Sequence, residues 1–333
     1  MKRICILFIF IITCFSGCNS KQPEKQEVSV SATSTPLPDT PGLSPYLSIT
    51  ESYYTDTSET GIGSQCIIYD LQTKKFVHKG SVDYTSAYPL AAYSKNFDDI
   101  FFSADSGHGD QVYQYNNNQN IQLTDKFHNI NYIIPCGDKL FVAANLLKHY
   151  CIEPFIFDPV SKEVDRVFED KEDDRFTWQA GTMPESNSVL FSYYPDSVER
   201  EIQSDDDSSI AGIALLNMET GKVKQIYKIH KYIWGVAGNE EKLYICCAKA
   251  GVGKRNYNIL YEVDMATKKK KKLDVPIVVT ERLALWNNTL YCIGREKNDE
   301  NRGIYAIDLD TLKAEPVYLQ QEDAFINGFS MCY

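Results

Sequence analysis

Three signatures of enzyme chemistry are missing from these 333 residues. There is no Gly-x-Ser-x-Gly elbow to expose a nucleophile, no His-Glu-x-x-His pair to hold zinc, and no phosphate-binding glycine loop. The segment GVGKRN at Gly251–Asn256 lacks the Walker spacing. No Cys-x-x-Cys occurs, so neither a zinc ribbon nor a redox dithiol is indicated. Basic residues are in deficit, 34 against 45 acidic, for a net charge of −11. Losing Lys2 and Arg3 with a leader makes it −13. A nucleic-acid partner needs a basic stripe, so none is expected. Long helical patterns are also lacking. The apolar run Ile4–Phe15 has 12 residues, whereas a membrane-spanning helix needs roughly 20.

That run, preceded by Lys2 and Arg3, has the size and flanks of a secretory h-region. Phe15-Ser16-Gly17-Cys18 follows. Small residues before a cysteine resemble the bacterial lipobox, although Phe15 stands where an aliphatic residue is usual. The resemblance implies a diacylglycerol on Cys18, hence attachment to the cell membrane on its extracytoplasmic side. From Asn19 to Pro45 the chain is rich in Ser, Thr, Pro and charge. Such a segment buries too little to offset its ordering entropy and is expected to be a flexible tether. The expected organisation is a signal peptide at 1–17, a tether at 18–45 and a folded domain at 46–333.

Seven cysteines lie in that domain: Cys66, Cys136, Cys151, Cys246, Cys247, Cys292 and Cys332. An odd number without regular spacing is not a disulfide framework. Most sit in apolar strand patterns and are expected to be buried thiols.

What the chain does have is one sentence written repeatedly. CIIYDLQTKKFVHKG, PFIFDPVSKEVDRVF, IALLNMETGKVKQIY and IYAIDLDTLKAEPVYL are four of its copies. Asp70, Asn116, Asp158, Asn217, Asp264 and Asp308 mark the turns, spaced by 46, 42, 59, 47 and 44 residues. A short Asp or Asn side chain bonds nearby backbone where a strand hands over to a turn. Flanking residues alternate apolar and polar, as in half-buried hairpins. A second strand pair precedes each hairpin, most clearly in YIWGVAGNEEKLYICCA at Tyr232–Ala248. Four short strands at this period are the mark of a propeller blade. The expected fold is therefore all-β, a six-bladed β-propeller of four antiparallel strands per blade. AFINGFSMCY at the C-terminal end would be the inner strand of the blade begun by YLSITESYYTD, closing the ring and removing its open edges. Seven blades is the alternative count, and an open β-solenoid or a two-sheet sandwich the alternative architecture. The pattern resembles the TolB-like and WD-repeat-like β-propellers of bacterial exported lipoproteins, over about Leu47–Tyr333, without a repeated Trp-Asp dipeptide.

In such a blade the second-to-third loops and the interblade links share one face, and here they are long. This face is expected to carry any ligand, because loops on a rigid scaffold carry function. His108, His128, His149 and His230 fall on it, but no tight ligand spacing such as His-x-x-x-His joins them, so no metal is assigned. Trp178, Tyr232 and Trp234 stand near the starts of inner strands, with Arg282 at a comparable point. They would stack a sugar or clamp a carboxylate, or else wedge between blades. The acidic loops Glu169–Asp174 and Ser204–Ser209 read as solvated surface, and Lys268–Lys272 as charge that blunts an outer edge strand. No catalytic residue and no cofactor is assigned. The expected role is a non-catalytic binding, interaction or sensing module at the cell surface, its partner a wall glycan, a peptide or a protein. The alternative is a glycan-active lyase or hydrolase at the same mouth, with His108, His149 or His230 as base or metal ligand.

Overall fold

The computed structural model describes residues 45–168, 175–183, 186–195, 211–248, 258–298 and 301–333. The expected leader, Cys18, the tether up to residue 44, both acidic loops and the Gly251–Asn256 segment lie outside the described residues.

The described residues form strands and no helix. The first three strands are β1 (Tyr46–Tyr54), β2 (Ile62–Asp70) and β3 (Lys75–Val82). Five complete sheets follow in chain order. The first holds β4 (Ala91–Ser94), β5 (Asp99–Asp105), β6 (Asp110–Asn116) and β7 (Gln119–Gln122). The next holds β8 (Phe127–Cys136), β9 (Lys139–Leu146), β10 (Glu153–Phe157) and β11 (Val164–Arg166). Then come β12 (Arg175–Thr182), β13 (Ser188–Pro195), β14 (Ala211–Asn217) and β15 (Val223–Ile229). The fifth blade holds β16 (Tyr232–Gly238), β17 (Lys242–Ala248), β18 (Ile259–Asp264) and β19 (Lys270–Leu273). The sixth holds β20 (Ile277–Trp286), β21 (Thr289–Glu296), β22 (Arg302–Asp308) and β23 (Ala314–Leu319). Finally β24 (Ala324–Cys332) returns to pair antiparallel with β1, Ile49 facing Phe329, and completes the first blade. The fold is the expected six-bladed propeller, closed by strands from both ends.

Burial explains the closure. There are six apolar clusters, and each is built by two neighbouring blades. The one that joins the last blade to the first sets Leu47, Ile49 and Ile67 against Ala284, Tyr291 and Ile293. A strand buried on both faces reads as near-continuous apolar residues, as in LYICCA and LYCIG, with exposure rising toward the outermost strands. The Lys268–Lys272 run does line such an edge: Lys270–Leu273 is the outer strand of its blade, with all three lysines exposed.

The turn anchors behave as local chemistry dictates. Oδ1 of Asp70 accepts from the backbone N–H of Gln72 and Thr73, at 2.9 and 2.8 Å. Asp158, Asn217, Asp264 and Asp308 cap their turns the same way. Four residues after each of these five anchors the backbone turns left-handed, at Lys74, Lys162, Gly221, Lys268 and Leu312. Asn116 differs. It opens a two-residue turn in which Asn117 and Asn118 have φ of 49° and 59°, the geometry that matches strand twist in a tight hairpin.

Candidate functional site

The two mouths of the ring differ. Turns between first and second strands gather at one of them, and a cavity of about 790 Å³ opens there. Its lining includes one asparagine from each of four such turns: Asn96, Asn187, Asn239 and Asn287. Trp286 and Tyr333 add aromatic surface, and Glu240 and Glu241 add negative charge. Asn96 Nδ2 donates to the Gly137 carbonyl at 2.6 Å, and Asn187 Nδ2 to Glu219 at 3.2 Å. Oδ1 of Asn239 accepts from the backbone N–H of Glu241 and Lys242, which leaves its amide nitrogen available. Asn287, at φ 51°, has no side-chain partner among the described residues. Behind the cavity, Tyr333 Oη donates to the Leu285 carbonyl, and Thr182 Oγ1 to that of Met331 at 3.2 Å. These contacts hold the inner strands together beneath the opening. Fixed amides beside aromatic faces bind neutral polar ligands and orient them.

The sequence-based expectation named the other, loop-rich mouth. There the structure brings three of the seven candidates together. The rings of Tyr232 and Trp234 are 4.6 Å apart, and Trp178 lies 5.5 Å from Tyr232 and 6.5 Å from Trp234. Tyr194 stacks on Tyr232 at 5.6 Å, and its hydroxyl accepts from the Ile233 backbone N–H at 2.7 Å. Trp178 also packs against two interblade clusters, so the group wedges blades apart as well as facing the mouth. Arg282 reaches into the central channel, where its guanidinium lies 4.0 Å from the centre of the Tyr132 ring on the opposite blade. The histidines are dispersed. His108 is on the β5–β6 loop, His149 on the β9–β10 loop and His230 on the β15–β16 link, all exposed. His230 lines a smaller cavity of about 340 Å³ with Lys228, Lys231 and Lys270. Among the described residues no three His, Cys, Asp or Glu side chains are placed to share a metal ion.

Loop length and histidine content point to the loop-rich mouth. The asparagines of the other mouth are also legible in the repeats: SKNFDD, ESNSV, GNEEK and WNNT each place asparagine in the first turn of their unit.

Burial pushes the thiols of Cys66, Cys136 and Cys247 up to about 12. A thiol is nucleophilic only as its thiolate, so at neutral pH these three serve as core atoms. One carboxylate at the loop-rich mouth is also perturbed. Asp110 is 2% exposed. Burial raises its pKa, opposed by a 2.5 Å hydrogen bond from Thr85. Because the folded pKa lies above the unfolded one, the native state holds its proton longer. Stability from this group is therefore lost as pH rises from about 4 through the folded value. Asp110→Asn is expected to be more stable than wild type at pH 7, with the two converging below about pH 4. Urea midpoints at several pH values check this, and a pH-independent gap would refute it.

No family model matches the sequence. No curated protein matches it either. Solved structures do. TolB from Acinetobacter baumannii superimposes with a TM-score of 0.54 at 14% identity, covering 86% of this chain and 66% of that one. Oligogalacturonate lyase from Vibrio parahaemolyticus gives 0.50 at 12% identity, covering 82% and 73%. An oligogalacturonate lyase in complex with manganese gives 0.50 at 11%, covering 81% and 72%. At such identities the likeness is one of fold: this chain is a six-bladed β-propeller similar in architecture to TolB and to oligogalacturonate lyases.

Proposed function

We propose that this protein is a lipid-anchored extracytoplasmic propeller that binds a glycan, peptide or protein partner at the cell surface without transforming it. The anchor is the diacylglycerol that the lipobox-like Phe15–Cys18 implies. The observation that carries the binding reading is the axial cavity lined by four turn asparagines with Trp286 and Tyr333. The asparagine amides and the Trp286 indole hold and orient a ligand without transferring a proton at neutral pH, and the two carboxylates of the lining, Glu240 and Glu241, are neighbours in a single turn rather than a pair set across the cavity. Propeller neighbours with an enzyme's name and with TolB's leave both roles open to the fold, so support for the binding reading comes from the cavity's lining. For catalysis, His108, His149 and His230 would have to act from three separate loops.

The test is a thermal-shift screen of the full-length protein with wall fragments, neutral saccharides and peptides, followed by cross-linking at the membrane. A ligand at about 100 times its dissociation constant adds roughly 2.7 kcal/mol. Asn287→Ala is expected to abolish that gain while leaving the unliganded melting point within a few degrees, and Trp286→Ala to abolish it with a further loss of stability, because Trp286 also packs against the cluster that joins the last blade to the first. A flat screen together with cross-linking that captures nothing would sink the proposal, and turnover of a bound glycan would convert it to an enzyme.

A further inference from the structure

Arg282 is an unusual residue in an unusual backbone. It lies in the inner strand β20, at φ +48°. A bulky L-residue adopts that conformation only under constraint. The strand slips register twice around it, between Val279 and Glu281 and again between Glu281 and Leu283. Bulges re-aim a side chain, and this one is aimed across the ring. Its guanidinium reaches β8 on the opposite blade, over Tyr132.

The surrounding fold makes room for it. A Cβ on Gly328 of β24 would sit 2.7 Å from Arg282 Nε, and a Cβ on Gly235 of β16 would sit 3.2 Å from the Arg282 backbone nitrogen. Gly328 thus leaves room for the side chain, and Gly235 for the bulged backbone that aims it. Yet its charge is poorly used. A guanidinium carries five N–H donors. Here one bond is formed, from Nη2 to the Asn131 carbonyl at 3.4 Å, longer than a normal hydrogen bond. The adjacent carboxylate, Glu281, is committed to Arg302 at 2.5 Å. No described carboxylate forms an ion pair with Arg282. The same inner strands carry two buried polar atoms without a partner: Oδ1 of Asn131, the β8 residue whose carbonyl Arg282 reaches, and Oγ of Ser330, two residues beyond Gly328 on β24.

We infer that Arg282 anchors an oxyanion-binding site in the central channel, and that its ligand is a small hydroxycarboxylate. The planar fork of donors matches a carboxylate bidentately. The waiting Asn131 Oδ1 accepts from a ligand hydroxyl, and Ser330 Oγ exchanges a further hydrogen bond. This inference rests on the binding reading above but concerns a different part of the channel from the axial cavity.

The test uses the full-length protein with sodium gluconate, its neutral match sorbitol, and sodium acetate, each against sodium chloride at equal ionic strength. Wild type is expected to be stabilised by gluconate and, more weakly, by acetate, and to bind gluconate at least tenfold more tightly than sorbitol. Arg282→Gln is expected to erase that preference, and Arg282→Lys to keep only part of it. Asn131→Asp supplies an internal carboxylate, so it is expected to raise the melting temperature and abolish the gluconate response even if Arg282→Gln does not fold. Lys228→Gln, in the separate lysine-lined cavity, is expected to change nothing. The inference is overturned if neither oxyanion outdoes chloride on wild type, if the gluconate response survives Arg282→Gln, or if Asn131→Asp leaves both readings unchanged. A protein that ignores gluconate and acetate but still captures a wall fragment or a protein loses this site and keeps the binding role.

Discussion

Gly181→Ala is expected to destabilise the propeller by about 3 kcal/mol, the upper range for overpacking in a core that cannot relax. Gly181 lies in the inner strand β12. A Cβ there would come 2.8 Å from the Val236 carbonyl oxygen and 3.2 Å from that of Leu283. Both are backbone atoms, on the inner strands of the next two blades. A flexible side chain would swing aside, but a strand hydrogen-bonded into its sheet moves only with its blade. One methyl group thus levers three blades apart near the axis. Gly61→Ala is the control, since a Cβ there meets nothing within 4 Å and only its φ of +70° is strained. Urea unfolding checks both. A loss below about 1 kcal/mol at position 181 would mean that the inner strands relax more freely than close packing allows.

Arg166→Ala should cost about 3 kcal/mol, the lower end for breaking a buried ion pair. Glu153 lies at the start of β10 with its side chain 3% exposed, and Arg166 on the outer strand β11 is 20% exposed. Nε and Nη2 of Arg166 both donate to the Glu153 carboxylate, the second at 2.7 Å. Truncating the arginine leaves a carboxylate buried without its counter-charge, which is the expensive half of the exchange. Replacing both residues by methionine removes the charge together with its partner and is expected to be close to neutral. A double-mutant cycle read from urea midpoints separates the two cases. If the double variant is as unstable as Arg166→Ala, packing rather than the pair explains the loss.

Blade number and closure were legible because they rest on short-range chemistry. An Asp or Asn at a strand end bonds backbone two or three residues on, whatever surrounds it, so Asp70, Asp158, Asn217, Asp264 and Asp308 mark turns in the sequence and cap them in the fold. Apolar runs bounded by such turns can be satisfied only between neighbouring sheets, and YLSITESYYTD needed a partner that AFINGFSMCY supplied. The thiols were legible for the same reason: a cysteine inside LYICCA has nowhere to be but the core.

The site was less legible. Trp178 and Trp234 are 56 positions apart in the chain, and their contact depends on how two blades meet. Asn96 and Asn287 line one cavity only because six interblade clusters close the ring at a fixed radius. For Arg282, the sequence showed an arginine near the start of an inner strand. It did not show two register slips, a left-handed φ, or the glycine on β24 that lets the side chain cross the channel. Period, turn chemistry and apolar alternation by themselves determined the propeller, its six blades and the pairing of its ends, because each acts within a few residues or between adjacent strands. What reaches into the channel and which turn residues come together around the axial cavity were decided by the tertiary structure, because those depend on all six inner strands at once.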